Sequence, residues 1–189
     1  MSTRLFVAVM AVGLALACDK MDSPSAPTQT AALGLAAQPQ SGQAHDRMVI
    51  ANDACDPDTF NAAIGPGTCV GNGGVTFANF IDQLTRLGRV PSWFFAPPNA
   101  TANVGDEFVV RNRGGETHTF TEVEDFGGGI VPSLNAIMHL GTVAPECRNL
   151  DPDDFIAPGG TYREDISEGG LEKYQCCIHP WMRLEARIK

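Results

Sequence analysis

The spacing of apolar positions changes character near residue 91. Before it, Phe77, Phe80, Ile81, Leu84 and Leu87 recur at the three- and four-residue intervals of one helix face. Thr76 stands where an N-cap belongs and Gly88 where a helix stops, so a short amphipathic helix is predicted over 77–87 with its apolar face as core packing. After Pro91 the apolar runs become short: 93–96, 107–112, 117–123, 161–166, 171–176 and 184–188. Turns at Gly105-Asp106, Gly114-Gly115, Pro158-Gly159-Gly160 and Gly169-Gly170 separate them. The stretch 127–150 reads as a loop with a helical turn at 133–139, and Met48-Val49-Ile50 as the opening of the folded region. The pattern predicts an all-β chain: an antiparallel Greek-key β-sandwich over 91–189, with a short N-terminal helical extension packed outside it.

The N-terminal pattern is different again. Arg4 is followed by an apolar run from Leu5 to Ala17, shorter than the roughly 20 residues that span a bilayer, so 1–17 is expected to be a secretory signal peptide. Leu14-Ala15-Leu16-Ala17-Cys18 resembles a bacterial lipobox, which implies lipidation of Cys18 and a membrane anchor; an ordinary cut after Ala17 is the alternative. Residues 18–47, dominated by small and polar side chains, bury too little to fold and read as a flexible tether. Residues 48–90 then form an extension holding a disulfide and the helix, and 91–189 the sandwich domain. The expected location is the periplasm or cell envelope.

Composition narrows the function. Thirteen Lys and Arg against 22 Asp and Glu, a net charge of −9, exclude a nucleic-acid binder. Glu122, Glu124, Asp125, Asp151, Asp153 and Asp154 read as a solvated face able to steer a basic redox partner. In an oxidising compartment Cys55 and Cys69 pair most simply with each other, closing a loop of about 15 residues worth on the order of 3 kcal/mol. His45 and His139 read as surface residues, and Met138 beside His139 as a loop accident.

The chemistry gathers at Tyr174-Gln175-Cys176-Cys177-Ile178-His179-Pro180-Trp181-Met182, between two expected strands. Cys176, His179 and Met182 are spaced three apart, and His118 adds a second imidazole from an earlier strand. A His₂Cys set with a weak axial Met is what blue-copper electron-transfer sites use. Trp181, next to His179, reads as a partly exposed apolar rim for a partner.

Residues 93–189 resemble the cupredoxins, in particular the plastocyanin, amicyanin and pseudoazurin group of small blue copper proteins. The resemblance lies in Gly105-Asp106, Gly115-Glu116-Thr117-His118-Thr119-Phe120, Pro158-Gly159-Gly160 and the Tyr174–Met182 loop with its short amicyanin-like spacing. It implies one type-1 copper ion held by His118, Cys176, His179 and Met182, and a single-electron carrier rather than an enzyme. It also implies a redox protein partner, a cytochrome or a copper enzyme, with the chain itself a monomer. The chain departs from the family at Thr119, where Asn is frequent, at Cys177, in the 127–150 insertion with Cys147, and in the Cys55–Cys69 extension.

With Cys18 lipidated, five cysteines remain: two disulfides and one free thiol. Neighbours on an extended chain point opposite ways, so Cys176 facing copper leaves Cys177 to pair with Cys147. The rival puts Cys176 in the disulfide and Cys177 on the metal. Copper sequestration without redox turnover is a second reading of the site. A structural zinc site using Cys147, Cys176, Cys177 and His179 is a third. An oxidase or nitrite reductase would need a further copper centre that the sequence does not offer.

Overall fold

Asp46–Asn52 (β1) alternates in the way of a strand, with Val49 and Ala51 buried and Met48 48% exposed. It lies inside a sheet, antiparallel to Phe94–Ala96 (β2) and parallel to Glu107–Asn112 (β4), with Val49 opposite Val110. Thr161–Asp165 (β6) completes that sheet, in the order β2-β1-β4-β6. The second sheet runs β3-β8-β7-β5, from Asn99–Ala102 (β3), Arg183–Ile188 (β8), Gly170–Gln175 (β7) and Thr121–Val123 (β5). These relations come from a computed structural model, which describes residues 44–71 and 73–189. The signal peptide, Cys18 and nearly all of the tether fall outside the described residues. Among the described residues no helix is long and apolar enough to cross a membrane.

The chain passes from one sheet to the other after β2, β3, β4, β5 and β6, so sequence neighbours are seldom sheet neighbours, as in a Greek-key sandwich. The core lies between the sheets. Phe108 of β4 meets Tyr174 of β7 at 5.3 Å between ring centroids, and Phe120 stacks on Tyr174 at 4.4 Å. Two details differ from the sequence reading. The β1–β4 and β3–β8 pairs are parallel, so both sheets are mixed rather than antiparallel throughout. A parallel pair needs a long connection, and here the segment between β1 and β4 holds two helices. Strand β1, placed by the sequence reading in an extension ending at residue 90, is an inner strand of the sandwich.

The helix Phe77–Leu87 (α2) falls where its periodicity puts it. Thr76 accepts the Asn79 N–H through its hydroxyl at 3.3 Å, and Gly88 ends the helix in the left-handed region at φ 65°. A second helix, Pro57–Ala63 (α1), occupies the Cys55–Cys69 loop, where only turn residues were read; Asp56 caps it by accepting the Thr59 N–H at 2.9 Å. Phe60 of α1 and Phe80 of α2 pack on Trp93 at 5.8 and 5.0 Å, so both helices are fastened to the sandwich core. The helical turn expected at 133–139 is Pro132–Ile137 (α3).

Both expected disulfides are present: Cys55–Cys69 and Cys147–Cys177. Cys177, Cys147, Val123 and Ala144 make a small second core that fastens the 127–150 insertion to the sheet.

Candidate metal centre

The end of β7 sets the thiol. Tyr174 and Cys176 are two apart on an extended chain and both are buried, whereas Cys177 turns the other way into its disulfide. The chain then closes a tight loop. The Cys176 N–H donates to the Met182 carbonyl at 3.0 Å, and the Met182 N–H to the His179 carbonyl at 2.8 Å. Pro180 fixes one backbone angle within that loop. Met182 is 1% exposed, buried with the residues its backbone joins.

His118 comes from a segment the sequence reading made a strand from 117 to 123. Only 121–123 pair with β7; His118 instead exchanges two backbone hydrogen bonds with Ile156, at 3.1 and 2.7 Å. The reason lies in the preceding turn. Asn112, 2% exposed, donates to the carbonyls of Glu116 and Ile156 and accepts the Gly114 N–H, which holds residues 112–118 in a fixed arch.

These supports bring three ligating atoms together. Nδ1 of His118 and Nδ1 of His179 are 3.3 Å apart, and each lies 3.8 Å from Sγ of Cys176. All three residues are buried, and among the described residues they are the group of His, Cys, Asp and Glu able to hold a metal ion. His45 and His139 are exposed, in keeping with their reading as surface residues, whereas Met138 caps the end of α3 and packs against the core. Among the described residues Cys176 is the free thiol, and Cys177 is bonded to Cys147, which removes both the rival assignment and the Cys147-Cys176-Cys177-His179 zinc set.

Two carboxylates that the sequence reading did not single out stand behind the histidines. Asp53 Oδ2 is 3.0 Å from His118 Nε2, and Glu116 Oε2 is 3.5 Å from His179 Nε2. Asp53 also accepts the N–H groups of Gly115 and Glu116, each at 2.9 Å, and of Cys55 at 3.2 Å. A Cβ at Gly114 would collide with this carboxylate, which is why the turn carries glycine there. Glu116 accepts the Trp93 indole N–H at 2.7 Å. Nothing local in the sequence marks Asp53, since its partner lies 65 residues on.

The thiolate has its own donors. The N–H groups of Thr119 and His179 each point at Sγ of Cys176 from 3.4 Å. Thr119 also accepts the Cys177 N–H through its hydroxyl at 2.8 Å, so threonine ties the two ligand-bearing loops together at this position.

Burial pushes the Cys176 thiol up, but the hydrogen bonds and charges of His118 and His179 outweigh it and hold the thiol well below its usual value. Burial pulls His118 down, and its bonds to Asp53 and Cys176 more than reverse this, raising it to about 9. Burial raises Asp53, yet His118 and the backbone N–H groups leave it below the usual carboxylate range. Glu116 is raised, chiefly by burial.

This donor set fits a soft cation. With each Nε2–H directed toward a carboxylate and Nδ1 freed of its proton, both Nδ1 lone pairs would turn toward the thiolate sulfur. Three electron pairs converging in a dry site, with two carboxylates behind them, repel one another unless a proton or a cation lies between. Two imidazoles with a thiolate suit copper or zinc, and Met182, buried in the same loop, is the thioether that would favour copper.

No protein-family model and no curated protein matches the sequence. Among solved structures, the chain is similar to a purple cupredoxin from Nitrosopumilus maritimus, at 14% identity over 76% of this chain and 100% of that one, with a TM-score of 0.42. It is similar to oxidised plastocyanin from Dryopteris crassirhizoma, at 13% identity over 76% and 100% of the two chains and a TM-score of 0.40. An amicyanin mutant in its Cu(I) state matches at 21% identity over 51% and 73%, with a TM-score of 0.35.

Proposed function

We propose that this chain is a single-electron carrier with one type-1 copper ion held by His118, Cys176, His179 and Met182. The observation that supports it best is the convergence of His118 Nδ1, His179 Nδ1 and Cys176 Sγ in a buried site, all within 4.8 Å of one another. Bound copper supplies a Cu(II)/Cu(I) couple that accepts and releases one electron. The protein's part is to keep the donors in place through both states. Asp53 and Glu116 orient the two rings, Thr119 locks the loops, and the two N–H groups on the sulfur stabilise it as thiolate. A site held this firmly rearranges little when the charge changes, which is what a fast one-electron exchange needs.

The carrier works outside the cytoplasm in this reading, with 1–17 as signal peptide, Cys18 as lipid anchor and 18–47 as tether to a sandwich acting as a monomer. Two disulfides suit that compartment. Its partner is a redox protein, a cytochrome or a copper enzyme.

Voltammetry of the copper-loaded chain tests electron transfer directly. A reversible one-electron wave at one copper per chain is expected. Tight copper binding with no reversible wave would instead mean sequestration.

A further inference from the structure

The four proposed ligands are almost wholly covered: His118 and Cys176 are 0% exposed, Met182 1% and His179, which lines a cavity beside α2, 3%. His118 is backed by Asp53, whose side chain is itself unexposed, and Glu116 stands at His179 Nε2. Electron transfer falls steeply with the distance between donor and acceptor, so a carrier whose ligands are all covered needs a conducting contact to the outside. Trp181 is such a contact. Its ring meets that of His179 at 5.4 Å between centroids and 63° between planes, and the residue is only half-buried.

Trp181 opens on a groove of about 210 Å³ that it shares with Arg89, Pro91, Phe94, Pro98 and Arg183. Phe94 is 43% exposed, and Arg89, Pro91 and Pro98 are exposed as well. The arginines here differ from Arg47, Arg86 and Arg163, which all hold carboxylates. Among the described residues Arg89 and Arg183 have no carboxylate partner; Arg183 lies over the Phe126 ring at 4.6 Å and donates to the Pro180 carbonyl at 2.9 Å. Glu185 lies beyond Arg183, on a neighbouring groove. On a chain of net charge −9, this places two unpaired cations and an apolar floor around Trp181, the half-buried aromatic ring packed against His179. The acidic groups Glu122, Glu164, Asp165, Glu168 and Glu172 line a separate pocket.

We propose that Trp181 is the electron port of the metal centre, and that the groove around it docks a redox protein through an acidic face. This rests on the electron-carrier reading. The apolar floor expels water from the contact, while Arg89 and Arg183 attract an acidic patch, which orients the encounter. One electron leaves the partner's reduced centre, oxidising it by one unit, and Cu(II) becomes Cu(I); no proton moves and no bond is made.

The test is stopped-flow reduction of the full copper-loaded chain by two reduced proteins, an acidic plant-type ferredoxin and basic cytochrome c. Trp181→Leu is expected to slow reduction by ferredoxin several-fold with the copper absorption unchanged, and Trp181→Phe to restore most of the rate. Arg89→Glu with Arg183→Glu is expected to slow ferredoxin about tenfold at low ionic strength, an effect that salt removes, and not to slow cytochrome c. Unchanged ferredoxin rates in Trp181→Leu, or in the charge-reversed protein at low salt, would overturn the proposal. Should Trp181→Leu disturb the absorption, the charge-reversed protein decides by itself. A chain that takes up no copper, or shows no thiolate–copper absorption, would refute the electron-carrier reading instead.

Discussion

The carboxylate of Asp53 stands 3.0 Å from Nε2 of His118, and neither side chain is exposed. The pair joins the loop after β1 to the arch after β4, so one contact links the sandwich core to the metal centre. A buried carboxylate on the far nitrogen of a ligating histidine fixes the tautomer and raises the basicity of the near one.

Asp53→Asn keeps the shape and removes the charge, and copper affinity is expected to fall about 10–100-fold in a competition titration. Asp53→Ala also strands the N–H groups of Cys55, Gly115 and Glu116, costing about 2–4 kcal/mol in urea unfolding of the metal-free protein. Wild-type affinity and stability in both variants would mean that the contact is idle.

What could be read from the sequence was what is local in it. Helix α2 announces itself through five apolar positions and two caps within thirteen residues. The Cys176–Met182 loop does so through ligand types at fixed spacing, and the Cys147–Cys177 pair through the opposite facing of adjacent residues on a strand. Asp53 and Glu116 gave no such signal, because their partners come together only in the fold. From the sequence strand β1 looks like an entrance rather than an inner strand, since its parallel partner β4 begins 61 residues later. Residues 117–120 look like a strand by composition, yet Asn112 holds the preceding residues in an arch and His118 pairs with Ile156 rather than with β7.

The Cys147–Cys177 disulfide closes 30 residues of chain. Replacing both cysteines with alanine is expected to cost about 3–4 kcal/mol in urea unfolding. Copper binding should survive, because Cys177 faces away from the site. Loss of copper with the fold intact would show that the insertion positions a ligand.

Asp106 gives an acid-stability test remote from the metal. Its carboxylate accepts the N–H groups of Asn103 and His45 and both bonds of the Arg47 guanidinium, and is held down to about 2, the Asn103 bond first among the causes. The unfolded group titrates near 3.9, so its stabilisation is complete above about pH 4 and lost as pH falls through about 2. Asp106→Asn should therefore be less stable than the parent at pH 7, with the gap closing below pH 4. A gap independent of pH would contradict this.

In the proposed ligand set Met182 is the weak axial donor, which tunes the potential rather than the affinity. Met182→Leu removes the thioether and keeps the apolar volume, so the chain should still take up copper and its reduction potential should rise. A variant that no longer takes up copper would make Met182 essential to holding the metal.

The ligand set is tested most directly by adding Cu(II) to the full metal-free chain and to Cys176→Ala while recording the visible spectrum. The parent should develop an intense thiolate-to-copper absorption that saturates at one copper per chain, and Cys176→Ala should develop none. A Cys176→Ala protein that binds copper with the same colour and affinity would contradict the electron-carrier reading.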